Sequence, residues 1–72
     1  MKLNYYAETD SLYIDLSSSP SVDSIEISDG VVVDYDANGK VTGIDIDHAS
    51  INFDLEEMTM THLPIVKQAK TA

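Results

Sequence analysis

The sequence predicts an α+β domain: a five-stranded, mostly antiparallel β-meander with a C-terminal helix packed on one face. Three observations carry this expectation. Short runs alternate apolar and polar residues at period two, as half-buried strands do. Turn-forming stretches punctuate them at Ala7-Glu8-Thr9-Asp10, Ser17 to Ser21 with Pro20, Ser28-Asp29-Gly30 and Asn38-Gly39. After Asp47, the residues Ile51, Leu55, Met58 and His62 fall at helical spacing.

The expected strands run from Lys2 to Ala7, Ser11 to Ser17, Val22 to Ile27, Val31 to Asp36 and Lys40 to Asp47. A slip of one residue in any pairing would turn a strand inside out, so each loop length is tested by whether it keeps the apolar residues on one face. The first turn sets Tyr5 opposite Leu12 and Leu3 opposite Ile14. A three-residue Ser28-Asp29-Gly30 loop, with Gly30 left-handed, sets Ile27 opposite Val31 and Ile25 opposite Val33. A two-residue Asn38-Gly39 loop pairs Tyr35 with Thr42, Val33 with Ile44, and Val31 with Ile46. The inner face then holds Leu3, Tyr5, Leu12, Ile14, Leu16, Ile25, Ile27, Val31, Val33, Tyr35, Ile44 and Ile46. The outer face carries Tyr6, Tyr13, Asp15, Glu26, Val32, Asp34, Asp36, Val41, Asp45 and Asp47.

A cover for the inner face is expected from a helix over Leu55 to Thr61. Asp54 and Glu57 are spaced as a capping box, and Pro64 limits the far end. The turn beginning at His48 can extend this into a longer, broken helix. Residues 1–66 are read as one domain and residues 67–72 as a flexible tail.

Composition narrows the function. A 72-residue chain with 43% hydrophobic and 24% charged residues is in the globular range. A domain of this size buries only about 60% of its unfolded surface, so it gains from a second copy or a partner. Thirteen acidic residues against four basic ones give a net charge of -9. That field repels nucleic-acid phosphates and anionic lipid and favours a basic protein partner or cations. The absence of cysteine excludes disulfides, thiol catalysis and thiolate zinc sites. The N-terminal residues Met1 to Tyr5 lack the apolar run of a signal peptide, and a cytoplasmic location is expected.

One stretch has a second reading. In a calcium-loop template, Asp34 takes position one, Asp36 three, Asn38 five, Gly39 six, Lys40 seven, Thr42 nine and Asp45 twelve. An EF-hand needs flanking helices, whereas Val31-Val32-Val33 and Ile44-Asp45-Ile46 are strand-like. The hairpin register turns these carboxylates to solvent as an acidic patch, so no metal is assigned and Asp34, Asp36, Asn38 and Asp45 stand as the candidates for one. His48 and His62 form no metal motif, and Ser17-Ser18-Ser19 sits in a loop with no nucleophile elbow. No catalytic residue, cofactor or enzymatic activity is expected. Tyr6 and Tyr13, near Asp15 and Glu26, are the candidates for an interaction surface, because tyrosine offers a large contact area with a polar tip.

The segments Tyr5-Tyr6-Ala7-Glu8-Thr9-Asp10-Ser11-Leu12-Tyr13-Ile14, Gly30-Val31-Val32-Val33-Asp34-Tyr35-Asp36 and Gly39-Lys40-Val41-Thr42-Gly43-Ile44-Asp45-Ile46, followed by Ala49-Ser50, resemble the small bacterial family named domain of unknown function 2283. The resemblance covers about Lys2 to Ser50. Tyr6 stands where the family usually has Asp, and Asp45 where it usually has Glu. The resemblance implies a compact β-rich fold with no assigned catalytic residue, substrate or cofactor. It also implies an antitoxin-like role, because members occur beside small toxin-like proteins. The expected function is a small acidic protein-interaction module, antitoxin-like or homodimeric, the alternative being a divalent-cation-binding domain built on the Asp34, Asp36, Asn38 and Asp45 hairpin.

Overall fold

The computed structural model describes residues 1–64. Five strands form where the alternation places them: β1 Lys2–Tyr6, β2 Ser11–Asp15, β3 Asp23–Ser28, β4 Val31–Tyr35 and β5 Val41–Ile46. Every neighbouring pair is antiparallel, and the spatial order is β1-β2-β5-β4-β3. The meander therefore runs in two pieces, β1–β2 and β3–β4–β5, joined through β2 against β5. Leu12 opposes Ile46 and Ile14 opposes Ile44, so the join extends one apolar face across all five strands. The segment after β2 crosses to the far edge. It is held at its start by the Leu16 and Ser17 N–H groups donating to the Thr42 carbonyl at 2.9 and 3.2 Å, and at its end by the Val22 N–H donating to the Tyr35 carbonyl at 2.8 Å.

The first hairpin has the expected register, with Tyr5 opposite Leu12 and Leu3 opposite Ile14. The other two keep the expected face but reach it through bulges. Ile25 opposes Val33 as expected, whereas Ser28, not Ile27, opposes Val31; the register shifts between Glu26 and Ser28. The turn is thus the two residues Asp29 and Gly30, with Gly30 at φ 80°, and the bulge at Ile27 absorbs the extra residue. The last hairpin pairs Val33 with Ile44 and Val31 with Ile46, but Tyr35 opposes Val41 instead of Thr42. Its loop is one residue longer than expected: the Asp36 N–H donates to the Lys40 carbonyl at 2.8 Å and the Gly39 N–H to the Asp36 carbonyl at 3.0 Å. Gly39 sits at φ 80°, the left-handed position a three-residue loop reserves for glycine. Thr42 is the compensating extra residue.

The C-terminal helix, α1, is a single turn over Ala49–Asn52. It lies where the ends of two hairpins meet: the Ala49 N–H donates to the Asp10 carbonyl at 2.9 Å and the Asp47 N–H to the Gly30 carbonyl at 2.8 Å. The helix expected over Leu55 to Thr61 does not form. Asp54 accepts the Glu56 N–H at 3.3 Å and fixes one turn, but no capping box closes and the turn does not propagate. Thr59 and Thr61 are poor helix formers, and seven residues are too few to offset helix nucleation. The tail expected from Lys67 to Ala72 lies outside the described residues.

The consequence for packing is large. Among the described residues, only Val33, Ile46 and Ala49 form a buried apolar core, and Thr42 is buried as well. The apolar face is open at its two edge strands, where Leu3 is 43% exposed, Tyr5 49%, Ile25 50% and Ile27 60%, while Leu12, Ile14, Val31, Tyr35 and Ile44 between them are half-buried.

Candidate functional site

On the polar face, one row of opposed residues runs Lys2, Asp15, Gly43, Asp34 and Ser24 across the strands, and the next runs Asn4, Tyr13, Asp45, Val32 and Glu26. Gly43 lies at the centre, flanked by strands on both sides. A Cβ there would overlap the Tyr13 phenol, with the ring Cζ only 2.6 Å away. The missing side chain lets Tyr13 lie over β5 and donate from its hydroxyl to Asp34 Oδ2 at 2.9 Å. Ser24 donates to the other oxygen, Oδ1, at 2.6 Å. A chain of side-chain hydrogen bonds thus ties β2, β4 and β3 together over β5. The Asp34 hydrogen bond, then loss of water, then nearby carboxylate charge raise the Tyr13 pKa above the ordinary 10.0. Asp45, half-buried beside Tyr13, is raised above the ordinary 3.8, mainly by loss of water and then by the charges of Asp47 and Asp34.

Asp36 serves a different purpose. Its Oδ1 accepts the N–H groups of Asn38 and Lys40, each at 2.9 Å, and closes the hairpin loop. The Lys40 N–H, more than any other partner, holds this carboxyl below its usual range. The four candidates for a cation therefore fall into separate arrangements, Asp34 in the cross-sheet network, Asp36 with Asn38 in the loop, and Asp45 between Tyr13 and Val32. Among the described residues, no group of three or more His, Cys, Asp or Glu side chains is arranged to hold a metal ion.

The interaction candidates separate in the same way. Tyr6 is 54% exposed at the β1 edge. Tyr13 is folded down onto Gly43. Glu26 accepts the Gly30 N–H at 3.1 Å and supports the β3–β4 turn, while Asp15 opposes Lys2 on one side and Gly43 on the other.

A second knot joins the first turn to α1. Asp10, left-handed at φ 53°, accepts the Tyr5 hydroxyl on Oδ1 at 2.7 Å and the Ser50 hydroxyl on Oδ2 at 2.8 Å. The Ser50 N–H reaches the same carboxylate at 3.1 Å, so a residue forty positions away caps the helix. The Tyr5 and Ser50 donors lower the Asp10 pKa below the ordinary 3.8. Sequence reasoning placed Asp10 in the first turn but foresaw none of the side-chain contacts of Asp10, Ser24, Gly43 or Ser50. Gly43 did carry a signal, since an isolated Gly within a strand pattern marks close approach of another group.

On the apolar face, Leu3, Tyr5 and Leu12 of the sheet and Leu55 and Met58 of the following segment line an open groove of about 520 Å³, together with Ser50, Asp54 and Glu57. This is within the range of ~300–1,000 Å³ typical of binding clefts.

Residues 2–50 match the family described as protein of unknown function (DUF2283), and the chain belongs to that family. No curated protein and no solved structure matches it.

Proposed function

We propose that this member of the DUF2283 family is a small acidic protein-interaction module that docks a protein on the open apolar face of its sheet. The carrying observation is the exposure of Leu3, Tyr5, Ile25 and Ile27, all on the face that Val33 and Ile46 anchor. These exposed residues lie on the two edge strands, β1 and β3, and exposed apolar surface of this kind commonly marks contact sites. Phe53, Met58, Met60 and Leu63 are also exposed and extend the apolar surface along the chain. The carboxylates of the opposite face lie away from this surface, so docking does not bury them.

The partner is a second copy or, in the antitoxin-like form of the reading, a small basic protein. Analytical ultracentrifugation of the purified chain, together with affinity purification from the native host, tests both. A stoichiometric dimer or heterocomplex is expected, and Ile25→Lys with Ile27→Lys should disrupt it, because these β3 side chains are exposed and their replacement leaves the sheet intact. A chain that sediments as a monomer and returns from its host with no stoichiometric protein would sink the reading.

A further inference from the structure

We propose that the groove between β1, β2 and the segment 54–58 binds a basic amphipathic peptide segment of the partner, apolar side chains inward and lysine or arginine over Asp54 and Glu57. The inference rests on the docking role above and names the partner's chemistry. The floor is apolar: Leu3, Tyr5, Leu12, Leu55 and Met58 line it. Tyr5 contributes ring surface, because its hydroxyl is already committed to Asp10. The charged part of the lining is acidic: Asp54 and Glu57 line the groove, and neither lysine of the described residues, Lys2 or Lys40, does so.

Charge complementarity selects the occupant. A second copy carries the same net charge of -9, and like charge disfavours self-docking beside Asp54 and Glu57. Nucleic acid and anionic lipid are repelled by the same field. A cationic amphipathic segment satisfies both the apolar and the acidic lining, in the manner of a helix laid into an apolar groove. The family match ends at residue 50, so the sheet side of the groove lies within the matched span and the acidic residues lie beyond it.

The probe is a fluorescent synthetic peptide of leucine and lysine in amphipathic helical order, titrated into the full chain by anisotropy at two salt concentrations. Two peptides serve as comparisons: a leucine and glutamate peptide of the same pattern, and a lysine and glutamine peptide with the charge but no apolar face. Saturable one-to-one binding of the leucine and lysine peptide alone is expected, weakening as salt rises. Neutralising Asp54→Asn with Glu57→Gln should weaken it about fivefold, the effect of losing two exposed ion pairs. Asp15→Asn with Asp45→Asn removes the same charge from the opposite face and should change the affinity much less. Equal losses from the two double variants, or equal binding of the glutamate peptide, would overturn the proposal. Ile25→Lys with Ile27→Lys separates the two readings: peptide binding that survives it while the native complex is lost supports the groove as a distinct subsite. No peptide binding by a chain that still forms its native complex overturns the groove and leaves the docking role standing.

Discussion

Replacing Gly43 with alanine tests the central contact of the polar face. In a strand interior, alanine would ordinarily be more stable than glycine by about 0.5–1 kcal/mol. Here the added Cβ overlaps the Tyr13 phenol and also approaches the Ile14 carbonyl oxygen at 3.3 Å. The phenol is the mobile end of a side chain, so it will swing away and the backbone will stay. That movement forfeits the hydrogen bond to Asp34, worth about 1 kcal/mol for a half-exposed donor to a carboxylate. It also uncovers a part of the ring; a quarter of the ~200 Å² an aromatic side chain can bury is ~50 Å², or about 1.3 kcal/mol. Against the gain of about 0.7 kcal/mol for alanine, the net loss is about 1.5 kcal/mol, a fall in Tm of roughly 6–12 °C. In a Tyr13→Ala background the obstruction is gone, and Gly43→Ala should there stabilise by about 0.5–1 kcal/mol. The cycle of single and double variants should therefore show a coupling of about 2 kcal/mol, measured by urea denaturation followed by circular dichroism. Additive effects, or a Gly43→Ala single variant as stable as the parent, would refute the reasoning.

Three further outcomes concern Asp10, Asp45 and Thr42. Asp10→Asn keeps a residue that tolerates the left-handed conformation but removes the charge that Tyr5 and Ser50 bond; it should lower Tm at neutral pH and reduce amide protection at Ser50 in hydrogen exchange. The Asp10 pKa is depressed, so its contribution is full above the ordinary 3.8 and is lost as pH falls through the folded value; the parent and Asp10→Asn should converge in strong acid. Asp45 has the opposite sign: its raised pKa means that the folded state binds the proton more tightly, so ionisation above that value opposes folding. Asp45→Asn should accordingly raise Tm at neutral pH, with the gain vanishing below the ordinary 3.8; a gain that persists in acid would have another cause. Thr42 is 3% exposed, and its Oγ1 is buried with no hydrogen-bond partner among the described residues. Thr42→Val replaces it with a side chain of similar shape and should stabilise by about 1 kcal/mol, or roughly 4–8 °C in Tm; a fall in Tm would show that the hydroxyl is bonded in solution.

The strands were readable because period-two alternation leaves little freedom: once Val33 and Ile44 must share a face, Ile25, Val31 and Ile46 follow. Face assignment does not fix loop length, however. A shorter turn with a bulge at Ile27, or a longer loop with Thr42 as the extra residue, yields the same face as the simple hairpins. Strand order was equally underdetermined, because β2 has its apolar residues in phase with β5 as well as with β3. The helix over Leu55 to Thr61 was the costliest error. Apolar residues at helical spacing describe a stripe, but Met58-Thr59-Met60-Thr61 also alternates at period two, and a seven-residue stretch has too little length to separate the two patterns. Asp34 and Asp45 were placed on the correct face, whereas Asp36 falls in the loop and Asp47 beyond the strand. Their bonding was not readable, since the donors to Asp34 come from Tyr13 and Ser24, twenty-one and ten positions away.

The two faces of the sheet divide the roles of the residues that carry chemistry. On the polar face, Tyr13, Asp34, Ser24 and Glu26 form hydrogen bonds within the chain, Asp36 closes the β4–β5 loop, and at the end of the sheet Asp10 binds Tyr5 and Ser50. A group already bonded inside the fold must break that bond before it can recognise anything else, which reduces what it can contribute to a complex. The apolar face carries no such cost. Covering Leu3, Tyr5, Ile25 and Ile27 needs no internal bond at the sheet to be broken, and each Å² removed from water contributes about 25 cal/mol before the cost of association. The segments within the family match are thus largely occupied in building the sheet, and the surface on which a partner would gain most is the apolar face that, among the described residues, a single helical turn leaves partly open.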